Sequence, residues 1–559
     1  MGTIGWKLKT LRLGTRGSRL ALAQSRLVAE RIRALGLAVE LVTIVADGDL
    51  RAPDAPIGEG IFVTALERAL KSGAIDLAVH SAKDLPLDED PDTVIVAYPI
   101  RADARDVLVT RRAGQGGVMD LPRGAKVGTD SPRRAGFLRA VRPDLDVIPI
   151  HGNVDTRLQR LDSGQADALV LAAAGLDRLG LAARASVRLE ADEMPPAPGQ
   201  GALAVQIRRG DDETAGLLAR LDDAAVREEV IAERALLKAM RGGCRAPVGA
   251  LAHHDGGRLL LMAGAVTSDG RTRHVLHRAI GGGDLVRQVL TVADELNRHV
   301  PLEARAVLDT RPDLDRDFAD AAGRMGFRHV HVPAIEIANA AGPELEEARR
   351  NLAFYDWVVV TSRRGVEALG DQLPGNVRWA AVGGSTAGAL AARGITADCV
   401  PDDAQADALP GSMAKVAALH GARILLARAD AAAPTLPQRL RELGATVDDV
   451  VAYHTSVGPT DSSADMVAAL RNPELGAVIF ASGSAVRGLV ELGGADVSYL
   501  AGVKIITIGP KTSTAVREAG FEVTRESPTR DSAGLAAALK SALDEEVERW
   551  VESQQRLPV

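Results

Sequence analysis

Cysteine is scarce in this chain, two in 559 residues, and one of them stands where a thiol can react. Cys244 follows ERALLKAM, an apolar helix-like run, and the pair Gly242–Gly243. Two glycines end the helix and leave the next side chain on a short turn with little steric cover. A thiol so placed is either a covalent attachment point or a small buried hydrophobe. Four polar clusters follow short apolar runs. Arg16 and Ser18 come after LRLG; His80, Ser81, Lys83 and Asp84 close AIDLAVHSAKD. Thr129, Ser131, Arg133 and Arg134 come after AKVG, and His151, Asn153 and Arg157 after VIPI. Each alone reads as a solvated face; four at equivalent ends of apolar runs read as one site. Arginine forks and helix N-termini suit carboxylates or phosphates. With no Walker loop and no GxGxxG segment, the expected ligand is a small polycarboxylate. Asp84 is the lone acid among these bases and should stay ionised. It can then stabilise a developing cation or accept N–H donors of a ligand; the structural alternative is a pair with Lys83.

The elements that position these residues alternate. Strands are expected at Leu11–Gly14, Val39–Ala46, Ala74–His80, Val107–Thr110, Ala125–Gly128, Asp146–Ile150 and Ala168–Ala172. Helices are expected over Ser18–Leu35, Gly60–Ser72 and Thr156–Ser163, with another opened by Ser131. This is α/β organisation, with ligands at the C-terminal ends of strands. MPPAPGQGALAVQ marks a crossing between domains near residues 194–206, and Ala250–Val266 reads as a small antiparallel sheet after a helical passage.

Length calls for roughly three to five domains. Apolar content of 46% suits packed cores, while 3% aromatics leaves no surface built of stacked rings. The net charge of -7 and the lack of a basic-aromatic pattern exclude a nucleic-acid module. Two cysteines make no disulfide framework and no metal-ligand spacing. No run of about 18 apolar residues is present and the N-terminus lacks a signal-peptide pattern, so a cytoplasmic protein away from membranes is expected.

Beyond Pro301 the pattern restarts and then repeats. WVVVTSRRGVEAL followed by AAVGGSTAGALAARG is echoed by AVIFASGSAVRGLV followed by IITIGPKTSTAVREAG. Each copy is a strand, a serine turn and a helix, then a strand ending in glycine with threonine at the next helix start. Two similar α/β domains facing a cleft are expected.

TRGSRLALAQS, FVTALERAL, AVHSAKDLP, GTDSPRR, GNVDTRL, LAAAGLDRLG, PAPGQGA and GGCRAPVG together resemble the porphobilinogen deaminase (hydroxymethylbilane synthase) family, in order, over residues 10–300. The resemblance implies a periplasmic-binding-protein-like pair of domains and a small α+β cysteine domain with dipyrromethane held as a thioether on Cys244. It implies condensation of four porphobilinogens to hydroxymethylbilane, releasing ammonia. Asp84 matches the catalytic aspartate. Arg16, Ser18, Lys83, Ser131, Arg133, Arg134 and Arg157 match cofactor-binding positions, and Phe62, His151 and Gln200 substrate-binding ones. Three departures stand out: His151 where the family usually has arginine, Glu59 where it often has lysine, and Thr64 where a second lysine is common. Elongation with weaker carboxylate affinity is the expectation.

Residues 304–545 resemble uroporphyrinogen-III synthase, through VVVTSRRGVEAL, AVGGSTAGAL, FASGSAV and IGPKTSTAVREAG. The resemblance implies a two-domain α/β fold, needing no metal, that closes the macrocycle with inversion of the last ring. Thr361, Ser362, Ser482, Ser484 and Thr512 are the expected substrate-binding residues. Tyr453 is the expected catalytic phenol, donating a proton to the leaving hydroxyl, or else a half-buried strand residue. Arg363, Arg364 and Lys511 either meet propionates or solvate helix starts, and Cys399 reads as structural.

The expected domains are 10–104 with a return segment 201–222, 105–200, 223–300, 304–337 with 457–545, and 338–456. The function expected is bifunctional tetrapyrrole synthesis on porphobilinogen and hydroxymethylbilane by a monomer. The alternatives are a synthase with an impaired or regulatory deaminase half, or a non-catalytic carboxylate-binding protein.

Overall fold

The computed structural model describes residues 10–45, 61–88, 90–111, 116–240, 246–281, 284–302, 305–402, 405–430, 432–459 and 461–556. Two compact units are present. The first comprises Met1–Arg305, Asp320–Arg328 and Lys540–Val559, the second Ala306–Ala319 and His329–Leu539.

In the first unit, short Val/Leu/Ile/Ala runs form two sheets of the same strand order. One runs Val39–Ile44, Leu11–Arg16, Leu77–Ser81, Ala202–Arg208, Thr93–Arg101; the other Asp146–Ile148, Lys126–Gly128, Ala168–Ala172, Asp106–Thr110, Val187–Arg188. The first three strands of each are parallel, and the fourth is antiparallel to both neighbours. Strands such as Ala168–Ala172 and Asp106–Thr110 are buried almost throughout, which is why they read as unbroken apolar runs rather than alternating ones. The chain passes between the sheets twice, at residues 101–106 and 188–202. At the second passage Gly199 (φ 76°) and Gly201 (φ 88°) take left-handed backbone, and a Cβ on Gly201 would stand 2.3 Å from the Ala102 carbonyl oxygen. Only glycine fits there.

A third layer is the antiparallel sheet Val248–Asp255, Arg258–Val266, Arg273–Ile280. Helices Ala224–Ala239 and Leu285–His299 cover it and bury Ile231, Ala235, Leu236, Val289 and Leu296 against it. Asp223 and Asp284 cap these helices by accepting first-turn N–H groups. Val547, Trp550 and Val551 join the same core from the end of the C-terminal helix, Ser532–Gln555. The sequence reading gave 457–545 to the second half of the chain; the packing instead returns the chain to the first unit from Lys540. An aromatic the size of Trp550 takes roughly 150–250 Å² out of water, which is what draws the helix end onto that core.

The second unit holds two sheets of its own. Strands Arg305–Asp309, Leu475–Phe480, Lys504–Thr507 and Arg525–Glu526 pair in parallel. The other sheet runs Ile335–Asn339, Thr446–Val457, Arg423–Ala429, Trp357–Val360, Arg378–Ala381, antiparallel only at its first pair. Trp357 and Trp379 are fully buried in it. Among the described residues no helix is long and apolar enough to cross a membrane, and no cluster of His, Cys, Asp and Glu has metal-site geometry.

Candidate functional site

The parallel strands of the two sheets in the first unit deliver the polar clusters at their C-terminal ends. Arg16 ends Leu11–Arg16 and is half-buried; Ser18 caps the following helix, its Oγ accepting from Ala21 N at 3.3 Å. Ser131 caps the helix Pro132–Val141 in the other sheet, accepting from Arg134 N at 3.4 Å. Both hydroxyls keep a proton to donate outward. Asp84 closes the single turn Ala82–Asp84 after Leu77–Ser81 and is exposed. Phe62 lies in the first turn of the helix Ile61–Lys71. Cys244 and Glu59 lie outside the described residues.

Arg133 and Arg134 do not face a ligand alone. Both are buried, and each binds one oxygen of the fully buried Asp106, at 2.8 and 2.7 Å. Arg133 also donates to the Pro195 carbonyl and Arg134 to that of Val170. The sequence reading assigned the two arginines to bound carboxylates; the protein supplies a carboxylate of its own first. Burial alone would raise the Asp106 carboxyl, but the two guanidiniums hold it well below the ordinary range. Gln200 extends this network, donating to Asp106 Oδ1 at 2.9 Å and to Ala104 O at 2.6 Å, while Lys83 Nζ donates to Gln200 Oε1 at 3.2 Å.

Positive charge without such a partner remains in front of this network. Lys83 is half-buried, and desolvation lowers its pKa to about 8; Asp84 opposes the fall and Arg134 adds to it. Arg157 is brought down to about 10, chiefly by burial and then by the charge of Arg134, against the pull of Asp130 and Asp84. Its Nε donates to Gly152 O at 2.7 Å. Such a group gains from an anion more than a solvated arginine does. His151 Nδ1 lies 2.8 Å from Asp130 Oδ2, but the angles do not make that contact a hydrogen bond. His80 leaves the candidate set. Burial lowers its pKa to about 4, and it meets Gln206 Oε1 at 2.9 Å inside a buried network with Thr93 and Glu67.

Three residues that the sequence reading did not single out frame the site. Arg178, lowered to about 10 by burial, donates to Gly201 O at 2.6 Å. Glu233 is fully buried and accepts from Arg101 (3.0 Å), Gly199 N (2.7 Å) and Ala252 N (2.7 Å). Beside it, Arg234 donates to the carbonyls of Ala82 (3.0 Å), Leu85 (3.0 Å) and Pro86 (2.9 Å), bracketing Asp84.

In the second unit the repeat is visible atom by atom. Ser362 and Ser482 cap matching helices with the same extended backbone, accepting from Gly365 N and Ala485 N at 3.1 Å each. Thr361 is half-buried ahead of the first, and Ser484 Oγ accepts from Arg487 at 3.2 Å. Thr512 is buried in the first turn of Pro510–Glu518, and its counterpart Thr386, missed by the sequence reading, is buried in Gly384–Ala391. Tyr453 is half-buried on Thr446–Val457, opposite Asn339 and Ala429. Arg363 pairs with Glu367 at 3.0 Å, Arg364 with Asp313 and Glu367, and Lys511 with Asp407 at 3.6 Å, so these cations already have protein partners. Cys399 is buried and its thiol pKa is raised by that burial, as a structural cysteine requires.

The residues present fit dipyrromethane by their chemistry: donors at four strand ends, two cations whose charge burial leaves under-compensated, and one exposed acid. Comparison with known proteins agrees. Residues 11–216 match the model "Porphobilinogen deaminase, dipyromethane cofactor binding domain", residues 227–297 "Porphobilinogen deaminase, C-terminal domain", and residues 316–537 "Uroporphyrinogen-III synthase HemD". A porphobilinogen deaminase of Roseiflexus sp. (strain RS-1) is 48% identical over 293 residues, 52% of this chain and 96% of that protein. One of Nocardia farcinica is 50% identical over 345 residues, 60% of this chain and 96% of that protein. A solved mutant uroporphyrinogen III synthase of Thermus thermophilus is 23% identical, with a TM-score of 0.34, covering 43% of this chain and all of that one.

The Asp106 network yields a prediction. Asp106→Asn leaves two buried guanidiniums facing a neutral amide, so the first unit should lose about 3–5 kcal/mol in urea unfolding. A loss under about 1 kcal/mol would mean the arginines rely on other partners.

Proposed function

This chain belongs to the porphobilinogen deaminase family and carries a uroporphyrinogen-III synthase domain behind it, and from that premise we propose what its residues do. It is a bifunctional enzyme of tetrapyrrole synthesis. The first half condenses four porphobilinogens with release of ammonia, and the second closes the resulting hydroxymethylbilane to uroporphyrinogen III with the last ring inverted. The impaired-deaminase and binding-protein alternatives are not favoured. We assign residues 10–104 with 201–222, 105–200 and 223–300 to the deaminase domains, and the two sheets of the second unit to the synthase. A cytoplasmic monomer completes the proposal.

The observation that carries the site assignment is the cationic surplus of Lys83 and Arg157 beside the single exposed acid, Asp84. When bound on Cys244, dipyrromethane supplies the pyrrole onto which the chain is built. Arg16, Ser18, Lys83, Ser131 and Arg157 hold its carboxylates, with Arg133 and Arg134 fixed behind them by Asp106. Asp84 accepts the pyrrole N–H of the incoming substrate and lowers the cost of positive charge that develops as ammonia leaves. Its exposure leaves it able to reach each new ring. Phe62, His151 and Gln200 complete the substrate contacts, His151 with less grip than an arginine fork.

In the synthase half, Ser362 and Ser482 have their oxygens committed to helix N-termini and their protons free to donate to carboxylates. Thr361 and Ser484 stand beside them at the same strand ends, and Thr512 follows the strand Lys504–Thr507. Tyr453 donates its phenolic proton to the departing hydroxyl. Holding a reactive linear substrate in a folded pose supplies most of the rate. Fusion raises the local concentration of the intermediate at the second site.

Incubating the full-length protein with porphobilinogen alone should give mainly type III uroporphyrin after oxidation; mainly type I would remove the synthase activity from this account. A second expectation concerns pH. With no carboxylate bound, Lys83 is cationic below about 8 and neutral above it, so cofactor assembly by the cofactor-free protein should slow as pH rises through that value. Lys83→Arg should move this limb to higher pH; an unmoved limb would take Lys83 out of carboxylate binding.

A further inference from the structure

The C-terminal helix ends in residues that lie beyond all three family matches, the last of which stops at residue 537. Glu546, Trp550 and Gln554 recur at four-residue spacing, so they share one face. That face lies along the helix Ala224–Ala239. Glu546 pairs with Lys238 at 3.1 Å, Trp550 sits under the Arg234 guanidinium at 5.7 Å from ring centroid to carbon, and the Gln554 carbonyl accepts from Arg227 at 3.2 Å. Lys540 anchors the near end to Asp294 at 3.0 Å.

Arg234 is what gives this contact a consequence. Its two terminal nitrogens reach three carbonyls that bracket Asp84, and Lys238 reaches Asp88 at 3.2 Å just beyond. Leu87, on the same stretch, packs against the core that contains Trp550. The aromatic face and the three acceptors together fix the plane of a guanidinium that is 1% exposed. Asp84 itself has no such burial to hold it.

We propose that the C-terminal end of the chain is a strap that positions the Asp84 turn, with Trp550 and Arg234 as positioning residues for porphobilinogen condensation. The strap makes the last turns of the chain part of the deaminase rather than of the synthase they follow. Its catalytic consequence rests on the assignment of Asp84 given above.

The test compares the full-length protein with Trp550→Ala and Trp550→Phe. Porphobilinogen consumption gives kcat and KM, closure of supplied hydroxymethylbilane reports the other half, and hydrogen exchange reads residues 82–88. For Trp550→Ala we expect kcat down about tenfold, as displaced catalytic groups produce, with KM within about twofold, faster exchange at 82–88, and unchanged closure. Phenylalanine should restore most of kcat, since an aromatic face returns. Unchanged kcat together with unchanged exchange overturns the proposal. So does a parallel fall in both activities, or faster exchange throughout the first unit, which would mark a merely structural contact. Faster exchange at 82–88 with full kcat would uphold the strap and remove the Asp84 assignment instead.

Discussion

Two buried charges of opposite sign, Glu233 and Arg234, stand next to each other on the helix Ala224–Ala239. Neither can lie in an apolar layer unless its hydrogen bonds are met. Meeting them ties the first unit together. Glu233 takes Arg101 from the edge strand of the first sheet, the Gly199 N–H from the passage between sheets and the Ala252 N–H from the antiparallel sheet. Arg234 takes the carbonyls around Asp84. The helix then ends at Ala239, five residues before Cys244. One element thus holds the acidic turn and precedes Cys244 in the chain.

The rest of the site follows from how positive charge is distributed. Asp106 pairs with both Arg133 and Arg134, one carboxylate oxygen to each. Lys83 and Arg157, in front of it, lack a full-time carboxylate partner, and their burial shows as lowered pKa. His151, beside Asp130, has no guanidinium fork to offer an anion.

Much of this was legible in the sequence, because strand ends and helix caps are local. The runs ending at Arg16, Asp84 and Gly128, the caps Ser18 and Ser131, and the repeat that aligns Ser362 with Ser482 all follow from patterns a few residues long. What escaped depends on distant partners. Asp106 is an acid at the start of an apolar strand, and nothing nearby in sequence says that two arginines 27 and 28 residues on will close over it. Arg234 reads as one charge in an apolar helix, although its acceptors lie about 150 residues upstream. His80 looked like a member of a polar cluster because sequence does not show that Gln206 crosses the sheet to meet it. The return of the chain at Lys540 was illegible for the same reason: Arg227 and Gln554 are 327 residues apart.

Pyrrole assembly depends on Cys244 as the covalent anchor, which intact-protein mass spectrometry with peptide mapping tests most directly. The purified full-length protein should carry a stable increment of two pyrrole units on the peptide containing Cys244, and brief exposure to porphobilinogen should add further single units to that same peptide. A chain without covalent pyrrole that still consumes porphobilinogen, or pyrrole mapped to Cys399, would contradict it.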